Sequence, residues 1–272
     1  MKLTGLKRKT TDKFYTSQFV VSTCIEFIKQ YIDIKDEDMC IEPSAGDGAF
    51  IEGIKSTFKN YAFYDIEPEH ADIVKADFLN VDSKLPLNSK VHVVGNPPFG
   101  RQSSMAIKFI KKSAEFADSI SFILPKSFKK DSLKRRFPPN FHLVFEYDLP
   151  KNAFIIDSKH HDVPSVFQIW IKRESPRVIL SKSKPSGYRF VKNTERPDIS
   201  FRRVGARAGN IDKSTEKKSV QSHYFIKFDK EIDDMLYEAL SSIKYECRDN
   251  TCGPRSISKQ ELIREFNKIL TE

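Results

Sequence analysis

A chain of 272 residues, 39% hydrophobic and 31% charged, has the composition of a globular protein large enough for a full core. No apolar run approaches the ~20 residues of a membrane span, and the polar start MKLTGLKRKT lacks the apolar region of a secretory leader, so an intracellular protein is expected, cytoplasmic or nuclear, or a virus-encoded one made there. Net charge is +9 and unevenly spread: residues 1–125 hold 16 Lys/Arg against 17 Asp/Glu, residues 126–272 hold 30 against 20, and a basic second half predicts a polyanionic partner.

In chain order, TSQFVVSTCIEFIKQYI (16–32) has apolar residues near helical spacing and predicts an amphipathic helix with Thr16 or Ser17 as its cap. DMCIEPSAGDGAFIEGI then gives a short strand, a glycine turn and a new helical start. YAFYDIEP (61–68), ADIVKADFLN (71–80) and KVHVVGNPPFG (90–100) each carry a strand, SMAIKFIKKSAEFA (104–117) a helix, and SISFILPKSF (119–128) a fifth strand stopped by Pro125. FHLVFEYDL (141–149) and SVFQIWIKR (165–173) are two late strands. Alternating strands and helices define the expected fold class: α/β, a Rossmann-like doubly wound, mainly parallel sheet. ESPRVILSKSKPSGYRF (174–190) shifts to Ser, Pro and Lys and marks a boundary. Beyond it lie a basic, glycine-containing DISFRRVGARAG (198–209) and two helices, 229–243 and 258–270, the last opened by a capping box at Ser258 and Glu261. About 95 residues is small for an autonomous domain, so this region is expected as an extension on the same body.

Cysteines add no framework. Cys24 and Cys40 sit in apolar surroundings as core thiols, Cys247 and Cys252 lack two further ligands for zinc, and His160-His161 lacks partners, so no metal is expected.

The chemistry-bearing motifs each follow a strand, where doubly wound sheets hold their ligands. In EPSAGDGAF (42–50), Gly46 and Gly48 allow a tight turn and close backbone approach, and no Gly-Lys-Ser/Thr follows to make a phosphate loop. An acid just before that turn suits an α-amino group, as in S-adenosylmethionine. Asp65 is placed for ribose hydroxyls, and Asp77-Phe78 could accept from an adenine amine and stack on its ring, or serve as a turn cap beside a core aromatic. In VVGNPPFG (93–100) two prolines stop the strand and stiffen its carboxyl end. An exocyclic amine has its lone pair delocalised into the ring; acceptors on both N–H bonds, here the Asn96 side-chain oxygen and the Pro97 carbonyl, pull it toward a tetrahedral nucleophile, while Phe99 stacks on the base.

These motifs resemble the amino methyltransferases. GNPPFG matches their [DNS]-P-P-[YFW] signature, IEPSAGDGAF resembles their cofactor motif, and DKFYTSQFV (12–20) resembles the N-terminal cofactor segment of the adenine-N6 class in which that segment comes first. The resemblance covers about residues 12–170, in the family's order, with Ser17 where many relatives have proline. It implies a class I methyltransferase using S-adenosylmethionine: Tyr15 and Thr16 at the methionine end, Glu42, Ala45, Gly46 and Gly48 on the methionine moiety, Asp65 on the ribose, Asp77 and Phe78 on the adenine, and Asn96, Pro97, Pro98 and Phe99 on the target amine. LPKNAF…VPSVFQIW (149–170) resembles the late family segment, which assigns Phe154 to the other face of a flipped base.

On this reading residues 1–11 are a basic arm, 12–175 a methyltransferase catalytic domain and 176–272 a basic, substrate-binding C-terminal extension. Lys126, in KSFKKDSLKRRF, would flank the substrate backbone, and Arg202, Arg203 and Arg207 would form a phosphate-binding turn. The expected activity is N6 methylation of adenine in nucleic acid, DNA ahead of RNA, with cap-adjacent adenosine and protein glutamine-N5 methylation as alternatives.

Overall fold

The structure, a computed structural model, describes residues 14–81, 89–156, 159–179 and 181–271; the expected basic arm at 1–11 lies outside them. The chain forms two compact units, Met1–Val178 and Ile179–Glu272.

The first unit runs β1 (Tyr15–Thr16), α1 (Gln18–Tyr31), β2 (Met39–Glu42), α2 (Ile51–Lys55), β3 (Asn60–Asp65), β4 (Val74–Lys75), β5 (Val91–Gly95), α3 (Ser104–Ser113), β6 (Ser119–Pro125), α4 (Asp131–Lys134), β7 (Phe141–Asp148), β8 (Phe154–Ile156), β9 (Lys159–His161) and β10 (Ser165–Lys172). Seven strands make one sheet in the order β4-β3-β2-β5-β6-β10-β7. The pairs from β4 to β6 are parallel; β10 runs antiparallel to both β6 and β7. This is a Rossmann-like doubly wound sheet whose order reverses between β2 and β5, so the carboxyl ends of those strands flank the crevice where such folds bind ligands. The central strands are buried throughout, every residue of β5 and β6 included, and apolar there apart from His92, Ser119 and Ser121.

A cluster including Val20, Ile28, Phe50, Phe58 and Phe154 packs one face, and one including Ile110, Phe122, Phe137 and Trp170 the other. A small antiparallel sheet, β1-β8-β9, sets Thr16 opposite Phe154, and so joins the two ends of the motif series. The cap expected of Thr16 or Ser17 takes another form: Ser17 is the N-cap by backbone but makes no side-chain cap bond, and Thr16 is spent elsewhere. The strand expected in 71–80 shrinks to Val74–Lys75, because Asp77 caps a 3₁₀ turn over Phe78–Asn80.

The second unit is more than an extension. It has its own four-stranded antiparallel sheet, in the order β11-β14-β12-β13, from β11 (Tyr188–Val191), β12 (Ile199–Arg202), β13 (Ile211–Asp212) and β14 (His223–Phe228). With α5 (Asp234–Ser241) and α6 (Lys259–Leu270) it encloses a separate core around Ile199, Phe201, Ile226, Leu262 and Phe266. Ser258 caps α6 by accepting from the Glu261 N–H at 3.2 Å, while Glu261 accepts from the Cys247 N–H. By unit, residues 1–178 hold 27 Lys/Arg against 23 Asp/Glu and residues 179–272 hold 19 against 14, so the basic excess is shared rather than confined to the second unit. No helix among the described residues is long and apolar enough to cross a membrane.

Candidate active site

A cavity of about 290 Å³ opens at the carboxyl ends of β2, β3 and β5. Nine of the expected residues line it: Tyr15, Gly46, Asp65, Asp77, Phe78, Asn96, Pro97, Pro98 and Phe99. The glycine turn after β2 forms its base. Gly46 has φ +54°, and its N–H donates to Asp65 Oδ2 at 2.8 Å; the other Asp65 oxygen accepts from the Glu67 N–H at 2.8 Å. Asp65 therefore fixes the turn as well as facing the cavity. A Cβ at Gly46 would meet the Tyr15 ring at 3.6 Å, so that ring covers the turn, and its hydroxyl donates to Glu69 at 2.7 Å.

Glu42, 2% exposed, ends β2 beneath Gly95. Gly95 has φ +147°, and a Cβ there would stand 3.2 Å from Glu42 Cγ, so this strand end requires glycine. Burial, and then the nearby Asp47 and Asp65 carboxylates, push the Glu42 carboxyl well above the usual range. Its Oε2 is buried with no partner among the described residues.

Asn96 follows β5. Its side-chain N–H bonds are spent on the Phe14 carbonyl and on Thr16 Oγ1, both at 3.2 Å, and its carbonyl oxygen accepts from Ser44 Oγ at 3.3 Å. The side-chain Oδ1 is buried and unpartnered among the described residues. The Phe99 carbonyl accepts from the Met105 and Ala106 N–H groups, which anchors the Pro-Pro segment to the start of α3. Phe78 is buried and stacks on Phe109 at 5.6 Å. Asp77 accepts from the Leu79 N–H and from Asn80, so its carboxylate caps the turn at the cavity wall.

Ala45 and Gly48 shape the turn without lining the cavity: the Gly48 N–H donates to the Ala45 carbonyl at 2.7 Å. Phe154 corrects the expectation made for it. It is 0% exposed, packs edge-on to Phe14 at 6.0 Å and belongs to the core, so it presents no face to a base. Phe14, which the sequence reading missed, lines the cavity in its place. Ile66, 59% exposed beside Asp65, and Glu69 were also missed; an apolar residue between two acids at a strand end was the available signal. The Lys126 Nζ lies 3.3 Å from Asp148, with Lys129 and Lys134 similarly drawn to Asp148 and Glu146 of β7. Arg202, Arg203 and Arg207 lie in the second unit, where Arg203 stacks over Tyr224 at 5.2 Å. No group of three or more metal-ligating side chains occurs among the described residues.

The strand order, with antiparallel β10 between β6 and β7, makes the first unit a fold of the class I methyltransferase type. Residues 49–180 match the family model described as EDM2 methyltransferase-like domain, a stretch that contains Asn96–Phe99. Among solved structures the chain is similar to a Pyrococcus horikoshii protein described as a candidate RNA methyltransferase (18% identity, 63% of this chain and 93% of that chain, TM-score 0.47). It is also similar to the 23S rRNA methyltransferase ErmE (17%, 61% and 72%, TM-score 0.45). A third is the type I restriction-modification methyltransferase subunit from Streptococcus thermophilus (14%, 60% and 45%, TM-score 0.45). A search of curated protein sequences gave no match.

Proposed function

We propose that the protein transfers a methyl group from S-adenosylmethionine to the N6 amine of adenine in nucleic acid, DNA ahead of RNA. The observation that carries this reading is the Asn96 amide. Its N–H groups are held by Phe14 and Thr16, which fixes the amide of this cavity-lining residue and leaves its buried oxygen as an acceptor without a partner among the described residues. The Pro97 carbonyl accepts no hydrogen bond among the described residues, and proline geometry fixes its direction. Two oriented acceptors are what an adenine amine needs to lose ring conjugation, and Phe99 offers a face to the base. The nitrogen becomes cationic as it gains the methyl group, so its proton can leave afterwards without a strong base.

The cavity also fits the cofactor. Glu42, behind the cavity wall, has an orphaned buried carboxyl oxygen that would suit an ammonium group, Gly46 lines the cavity under the Tyr15 ring, and Asp65, Asp77 and Phe78 line the wall for a nucleoside. When bound, S-adenosylmethionine supplies an electrophilic methyl on a sulfonium; the chain's task is to orient the amine and exclude water.

The test is labelled-methyl transfer to matched pools of single- and double-stranded DNA, uncapped RNA and capped RNA, followed by nucleoside mass analysis. Label in N6-methyldeoxyadenosine supports the reading, and label in N6-methyladenosine moves the substrate to RNA. Absence of label from every pool, with cofactor bound, overturns it.

A further inference from the structure

The second unit carries a cleft of about 430 Å³ that the methyl-transfer chemistry does not use. In β12, Ile199 and Phe201 are 0% exposed in the core, so strand alternation turns Arg202 to the opposite face, paired in register with His223 of β14. Arg207, Asn210, Asp212 and Lys218 complete the charged and polar wall. The lone carboxylate is already engaged: Asp212 binds Lys218 at 2.6 Å and accepts from the Ser214 N–H at 2.8 Å. Arg202 and Arg207 have no carboxylate partner among the described residues. The Arg202 Nε donates to the Val204 carbonyl at 2.9 Å, which orients its fork. Gly205 and Gly209, at φ +102° and +103°, fold the 203–210 turn, and the Ala206 and Arg207 N–H groups find no acceptor among the described residues.

We propose that this cleft binds a phosphate group, with the Arg202 and Arg207 guanidiniums and the amides of the 206–207 turn as its donors. Unpaired guanidinium forks beside free backbone N–H groups match a phosphate's several acceptors better than one carboxylate's two. Arg203 is excluded, because its guanidinium lies over the Tyr224 ring. His223 is the built-in reporter. It is 8% exposed, and its Nδ1 bonds to the Ser219 carbonyl at 3.1 Å. Burial holds its titration below the ordinary value, as do Arg202 and Lys218 against the opposing Ser219 carbonyl and Asp212. A bound anion offsets both cations and raises it. Only the source of the phosphate rests on the nucleic-acid reading above; the donor set stands without it.

The experiment follows the His223 ring by NMR on the full chain, assigned through His223→Gln, with inorganic phosphate as probe. Expected is a rise in its titration midpoint that Arg202→Ala with Arg207→Ala abolishes and Arg203→Ala keeps. Oligonucleotides with and without a 5′-phosphate then identify the source: equal binding names an internal phosphodiester, and preference for the phosphorylated form names a chain end. The double variant should weaken oligonucleotide binding at least tenfold and reduce the slope of log affinity against log salt by about two counterions. An unmoved His223 at saturating phosphate, or wild-type binding by the double variant, overturns the proposal. Phosphate binding without methylation of any polymer would remove the activity reading and leave the site.

Discussion

At the scale of single residues, the proposed function rests on two buried oxygens, of Asn96 and Glu42, unpartnered among the described residues, and each makes a prediction. Asn96→Ala should leave cofactor affinity intact and lower turnover by about 10²–10³-fold, the usual loss for one oriented dipole in a closed site. Calorimetric cofactor binding beside single-turnover rates checks the split. Thr16 does not line the cavity; it holds the Asn96 amide through one 3.2 Å bond. Thr16→Val should therefore lower turnover by about tenfold with KM little changed. Glu42 makes the second prediction. Its carboxyl is held protonated above the usual range by burial and by Asp47 and Asp65, so ionising it in the empty protein costs stability as pH rises through the raised value. A bound ammonium reverses that preference. Affinity for S-adenosylhomocysteine, which carries the same amino-acid end, should strengthen as pH rises and then level off. Glu42→Gln should flatten this profile, weakening binding most at high pH and approaching wild type at low pH, where Glu42 is itself neutral. The sequence revealed Asn96 and Glu42 because their neighbours, two prolines and a glycine turn, are chemically loud. Phe14 and Ile66 were not legible, because one aromatic or aliphatic residue reads as core until a structure shows which face it turns to water. Phe154 is the converse case: the motif that suggested a base-facing ring left it in the core beside Phe14.

Among elements, the parallel strands were readable because doubly buried strands are mostly apolar runs, as VHVV and ISFIL are here with one polar residue each. The four strands of the second unit were not noticed. They mix core residues with polar and charged ones, as Ile199 and Phe201 alternate with Ser200 and Arg202 in β12, so charge dominates the composition. The link between α4 and β7 shows a tie that no local pattern predicts. Arg177, 36 residues beyond β7's first residue, donates to the carbonyls of Lys134, Phe137, Pro138 and Phe141 at 2.5–3.0 Å and lies over Trp170 at 5.2 Å. Four acceptors share one planar donor, and lysine has no equivalent fork. Arg177→Ala should cost about 2–4 kcal/mol, since it removes four hydrogen bonds to part-buried carbonyls and the contact with Trp170, and Arg177→Lys should recover little of it. Urea midpoints of the two variants at constant m-value make the comparison.

For the whole molecule, the opposite end of the sheet from the cavity sets the response to acid. Asp38, His92 and Ser119 form a chain: Ser119 Oγ lies 2.7 Å from His92 Nδ1, and His92 Nε2 lies 3.2 Å from Asp38 Oδ2. The trio has the makeup of a hydrolytic triad, yet all three side chains are at most 3% exposed, and they sit at the amino ends of β2, β5 and β6, where no ligand reaches. Its role is to close the sheet's edge of backbone donors: Asp38 also accepts from the Lys35 and Lys90 N–H groups at 2.8 and 3.2 Å. Burial lowers the His92 titration more than Asp38 raises it. For Asp38, burial alone would raise the carboxyl, but the bonds from Lys35, His92 and Lys90 overcome that and hold it below its ordinary value. Both groups thus release protons more readily folded than unfolded. The His92 contribution is complete above about pH 6.5 and fades as pH falls through its lowered midpoint; the Asp38 contribution is complete above about pH 4 and fades below it. Glu42 has the opposite sign, so it cannot account for a loss of stability on acidification. Thermal melting from pH 8 to pH 3.5 should show two successive declines. His92→Gln keeps a neutral hydrogen-bonding side chain of similar length, and should shrink the first decline, leaving the share of His223, whose titration is also lowered, and the second decline. A His92→Gln profile with the first decline undiminished would assign it to other groups and leave the trio a packing feature without a titrating role.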